Sequence, residues 1–87
     1  MNNVNKAIAI FRSRSYAMLF YDEMRGNGIY CEISPAPPKL ATGCGVAVLL
    51  DIKDVDSVIR LNEVNKYRIT GIYRLYENKD GSYKRIY

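Results

Sequence analysis

Apolar residues in this chain fall into short runs of two different periods, and each change of period marks an element. Lys6-Ala7-Ile8-Ala9-Ile10-Phe11 is a continuous apolar and β-branched run, which predicts a strand. Ser13 and Ser15 follow as candidate N-caps. From Arg14 to about Arg25 the apolar positions Ala17, Phe20, Tyr21 and Met24 then recur at three- and four-residue intervals. That spacing predicts a helix with one apolar stripe, Tyr16, Phe20 and Met24 in the core, and Asp22 and Glu23 on the solvated face. Gly26-Asn27-Gly28 supplies a left-handed stop. Ile29 to Ser34 alternates, so Cys31 points inward with Ile29 and Ile33 while Tyr30, Glu32 and Ser34 face the other way. Val46-Ala47-Val48-Leu49-Leu50 is apolar at every position, as a strand inside a sheet is.

Asp51 is placed to cap a second helix, with Asp54 in its first turn. Ile52, Val55, Val58, Ile59 and Asn62 lie along one stripe of it, and it ends near Lys66. Ile69 to Tyr76 reads as a further strand. Asn78-Lys79-Asp80-Gly81 is a turn signal leading to a short terminal strand, Ser82 to Tyr87. The order strand, helix, strand, strand, helix, strand predicts an α+β fold. Its form is a ferredoxin-like βαββαβ sandwich, an antiparallel sheet with two helices on one face and a C-terminal β-hairpin extension. The other sheet face is then left for self-association or a partner, with Tyr30 and Tyr73 as candidates to project there.

The 87 residues leave room for a single domain, 1–87, with one modest core. No apolar run reaches the roughly 18 to 20 residues of a membrane span, and the polar start Met1-Asn2-Asn3 is unlike a secretory signal, so a cytoplasmic location is expected. There is no histidine, which removes Ser-His and Cys-His nucleophile pairs and the commonest metal ligand. Two cysteines alone do not complete a zinc site, and no phosphate-binding glycine loop precedes a helix, so neither metal nor cofactor is expected. The carboxylates Asp51, Asp54 and Asp56 crowd a helix start, where capping explains them.

Charge is uneven. The net +4 resides in residues 66–87, where six basic side chains stand against two acidic ones, together with five of the eight tyrosines. Basic plus aromatic composition suits single-stranded nucleic acid, yet tyrosine is an ordinary strand residue and the charge is ordinary for a small domain, so nucleic acid is not the expected partner.

The chemistry-bearing candidate is Cys44. It ends the run Pro35-Ala36-Pro37-Pro38-Lys39-Leu40-Ala41-Thr42-Gly43-Cys44-Gly45, just before an apolar strand. That places a thiol at the mouth of a stiffened loop, with Lys39 to bring positive charge and the amides of Gly43, Gly45 and Val46 free to turn toward an anionic sulfur. Read on its residues alone, Cys44 is equally a small side chain filling a loop-to-strand corner. Cys31 reads as core, and hairpin pairing sets it opposite a residue several positions beyond Cys44, which disfavours a disulfide between the two.

Phe11, Ser13 and Ala17, then Gly28-Ile29, Pro35 and Pro37, Cys44-Gly45 and Gly71-Ile72-Tyr73 occur in an order that resembles the small selenium/sulfur carrier-like family, over about residues 7–76. Pro38 stands where that family usually has arginine after the second proline, and Lys39 follows one place on. The resemblance implies a carrier rather than a stand-alone enzyme. Cys44 would hold a persulfide or selenium adduct amid Lys39, Thr42, Gly43 and Gly45, and pass it by thiol exchange between donor and acceptor proteins, without a cofactor. A homodimer through the sheet is a further expectation. The alternative function is a non-catalytic protein- or RNA-binding or oligomerisation module that uses the open sheet face or the basic tyrosine-rich end.

Overall fold

The computed structural model describes residues 5–40, 45–75 and 83–87. Its elements run β1 (Lys6–Phe11), α1 (Arg14–Gly26), β2 (Cys31–Pro35), β3 (Val46–Asp51), a 3-10 turn (Ile52–Asp54), α2 (Val55–Asn65), β4 (Ile69–Leu75) and β5 (Tyr83–Arg85). The strands form one five-stranded sheet in the order β2-β3-β1-β4-β5, with every neighbouring pair antiparallel. The protein is therefore an α+β fold, an antiparallel sheet with two helices, and β5 continues the sheet beyond β4. The Asn78 to Gly81 turn lies outside the described residues.

β1 is the middle strand, and this is why its sequence is apolar at every position. Ala7, Ala9 and Phe11 join Ala17, Phe20 and Met24 of α1 and Val55 and Val58 of α2 in the main core. The alanines let α1 approach the sheet closely, and Phe11 fills the far end against Phe20, ring centroids 5.0 Å apart. Ser13 caps α1 by accepting from the Tyr16 amide at 3.4 Å. Asp51 caps the 3-10 turn through the Lys53 amide at 3.0 Å, so the aspartate reads one turn earlier than the α-helix it leads into. Among the described residues no helix is long and apolar enough to cross a membrane.

Three details differ from the sequence reading. β2 starts at Cys31 and not Ile29, because the Ile29 amide is still bonded to the Met24 carbonyl at 2.9 Å in the C-terminal cap of α1. Ile33 lies on the same side of the edge strand as the buried Cys31 but is 41 % exposed. The sheet face away from the helices is not open along its length. Ile8, Ile10 and Ala47 are buried there, with Ala36, Leu40, Leu49, Tyr73, Leu75 and Tyr83 packed over them. Tyr73 does lie on that face, its ring against Gly71, where a Cβ would come within 2.9 Å of a ring carbon. Arg85 sits over the same ring at 5.8 Å. Tyr30 is 57 % exposed and precedes the strand.

The connection from α2 to β4 shapes the site described below. Lys66 and Arg68 both adopt left-handed backbone, φ 57° and 63°, on either side of Tyr67. The two reversals turn the Tyr67 ring into the core, 1 % exposed, while both cationic side chains stay outside. Lys66 is the C-cap of α2, a place where glycine is favoured. Lys66→Gly is expected to raise stability by about 0.5–1 kcal/mol, because glycine takes this conformation without a Cβ penalty. A thermal melt reads this as a higher midpoint, and an unchanged or lower one would contradict it.

Candidate functional site

Strand register gathers the chemically interesting residues at one end of the sheet. Ile10 pairs with Ala47, Pro35 with Val46, and Phe11 with Ile69. The ends of β1 and β2 and the starts of β3 and β4 therefore share an edge, together with the N-cap of α1. The β2–β3 ladder extends one step past the strands, with the Ala36 amide donating to the Gly45 carbonyl at 3.2 Å. Residues 37–40 continue the chain beyond that closure as a turn.

Two of the five sequence-predicted site residues lie among the described residues. Lys39 is exposed on a turn closed by the Leu40 amide on the Pro37 carbonyl at 2.9 Å. Leu40 anchors that turn by packing on the outer sheet face beside Ala36. Gly45 is exposed with φ +75°, a left-handed residue at the point where the loop enters β3, so a side chain here would be strained even though the space is empty. Thr42, Gly43 and Cys44 lie outside the described residues.

Cys31 is placed where its alternation suggests. It is 1 % exposed, in the main core, and pairs with Leu50. Its sulfur lies 3.9 Å from the Tyr21 carbonyl. Burial pushes the thiol pKa up, and the positive charge of Arg25 offsets this only in part, so the reactive thiolate is suppressed at neutral pH. Four residue steps along the strand separate Cys31 from Pro35, a run of ~13 Å at ~3.3 Å per residue, and Cys31 lies at the opposite end of the hairpin from the loop.

The residues that sequence reasoning missed lie beside this loop end. Arg12, Lys66 and Arg68 converge with Asn62, Ile69 and Thr70 around a cavity of about 300 Å³ that opens to solvent. The Arg12 amide donates to the Arg68 carbonyl at 3.0 Å, tying the two arginine backbones together. Below them, Asn62 accepts from the Tyr67 amide at 3.1 Å and donates to the Tyr87 hydroxyl at 3.2 Å, and the Thr70 hydroxyl donates to the Ile10 carbonyl at 3.2 Å. Local sequence gave one clue only, the two cations spaced two apart around a tyrosine. The partner cation, Arg12, is more than fifty residues away in the chain.

Tyr67 and Tyr73, grouped by sequence with a basic aromatic end, are thus engaged in packing, one in the core and one over Gly71. No match to the chain is found among curated proteins or solved structures. A family model described as "Putative Se/S carrier protein-like" matches residues 6–74, from the first residue of β1 through most of β4 and across all of residues 37–44. On that match, the chain belongs to the Se/S carrier-like family.

Proposed function

We propose that this chain is a single carrier domain, ferredoxin-like in its β2-β3-β1-β4 core, which holds sulfur or selenium on Cys44 between donor and acceptor proteins in the cytoplasm. The burial of Cys31 carries this reading. The chain has two cysteines, and the one in the core is shielded with its pKa raised, which leaves Cys44 for the chemistry that the family name describes. Lys39 keeps a positive charge in the same segment of sequence, and the left-handed backbone at Gly45 turns the chain into β3.

In the loading step the Cys44 thiolate attacks the outer sulfur of a donor persulfide. The Cys44–sulfur bond forms as the donor's S–S bond breaks, and the donor leaves as its thiolate. The sulfur moves without net oxidation or reduction, so no external oxidant is needed. Unloading repeats the step with an acceptor thiolate as the attacking group.

Intact-protein mass spectrometry after incubation with a cysteine desulfurase and cysteine tests the reading. Wild type and Cys31→Ala are expected to gain one sulfur that a reductant removes, and Cys44→Ser to gain none. Loading of Cys44→Ser, or no loading of wild type under conditions that load a known carrier, would sink it.

A further inference from the structure

The cavity beside the loop end carries three cationic side chains, and among the described residues no carboxylate lines it. Among the described residues no ion pair ties Arg12, Lys66 or Arg68. The walls are fixed from behind. Tyr67 is locked in the core between the two left-handed cations, Asn62 holds the Tyr67 amide, and Arg12 and Arg68 share a backbone hydrogen bond. Non-glycine residues at positive φ cost stability, and two of them placed two residues apart on the rim of one cavity are strain concentrated at a site. Asn62 and Lys66, in the last turn and at the C-cap of α2, bring the negative end of that helix dipole to the cavity, which the three cations outweigh.

We propose that the Arg12–Lys66–Arg68 pocket binds a small tetrahedral dianion, a phosphate-type or sulfur-oxyanion group, through charge-assisted hydrogen bonds from the two guanidiniums and the ammonium. The concave shape and the volume favour a small ligand over a nucleic-acid strand. Among the described residues no aromatic side chain lines the cavity to stack a base, and Tyr67, the nearest in sequence, is buried. The pocket uses no residue of the Cys44 loop, so it stands or falls apart from the carrier reading.

The test is titration calorimetry of the full chain at constant ionic strength, with inorganic phosphate, thiosulfate and acetate in separate arms. Phosphate or thiosulfate is expected to bind, acetate at least tenfold more weakly. Whichever of the two binds more tightly identifies the phosphate or the sulfur source. Arg12→Gln/Arg68→Gln is expected to lower that affinity at least tenfold with an unchanged circular dichroism spectrum, and Cys44→Ser to leave it unaltered. Lys66→Gly is expected to weaken binding while raising the melting midpoint, a divergence that a merely structural lysine would not produce. No binding of either dianion, equal affinity for acetate, or an unaffected double variant would overturn the proposal.

Discussion

Phe20→Ala is expected to lower the unfolding free energy by about 3–5 kcal/mol, the usual cost of truncating a fully buried aromatic ring. Phe20 has no exposed surface and stands between two other rings, 5.0 Å from Phe11 and 5.3 Å from Tyr67 in an edge-on arrangement at 85°. Each partner comes from a different element: Phe11 from the central strand, Phe20 from α1, and Tyr67 from the connection into β4. Removing the middle ring therefore unties three parts of the chain at once. A domain of this size has a stability of roughly 4–13 kcal/mol, so the variant is expected to lose a large share of it. Urea denaturation of wild type and variant measures the difference, and a loss below about 1 kcal/mol would mean that the ring cluster is not the keystone of the core.

The second large effect concerns Tyr67 at alkaline pH. Its hydroxyl donates to Glu23 at 2.5 Å and accepts from the Asn65 amide at 3.0 Å. Burial, and then the hydrogen bond to the Glu23 carboxylate, push its pKa up to about 12, against a slight lowering from Asn65. An unfolded tyrosine ionises near pH ~10, so between these values the folded protein holds a proton that the unfolded chain has lost. Stability from this group is thus complete below pH ~10 and falls away as pH rises toward about 12. Tyr67→Phe is expected to cost about 1.5–2 kcal/mol at neutral pH, through loss of a charge-assisted hydrogen bond, and to flatten the alkaline decline. Tyr30 is also raised by its bond to Glu32, with the same sign, but it is present in both proteins. The difference between wild type and Tyr67→Phe across pH 9–12 isolates Tyr67, and parallel curves would refute the assignment.

Local signals made most elements legible. β1 carries a continuous apolar run because it is the middle strand, and its bounds at Lys6 and Phe11 are those read from sequence. Ser13 and Asp51 announced helical starts because their side chains satisfy amides that would otherwise lack partners. Cys31 was legible as core from alternation alone, and its pairing with Leu50 lies six positions beyond Cys44, as hairpin geometry requires. What sequence could not reveal was tertiary. Whether tyrosine packs or projects depends on backbone reversals at Lys66 and Arg68, residues with no intrinsic preference for left-handed φ. The cationic cavity escaped notice because Arg12 meets Lys66 and Arg68 only through the pairing of β1 with β4. The outer sheet face looked open because the sequence does not say that Leu40 and Tyr83 fold back over Ile8 and Ile10.

The two outermost strands have a consequence for how copies of this molecule meet. β2 is five residues long and ends in Pro35, which has no amide to offer, while β5 is three residues long and carries Lys84 and Arg85. Short, charged or proline-terminated borders are poor templates for a further strand. Lateral growth of the sheet into fibrils is disfavoured at both margins, so any self-association of the folded protein is expected face to face or through side chains and not by strand addition.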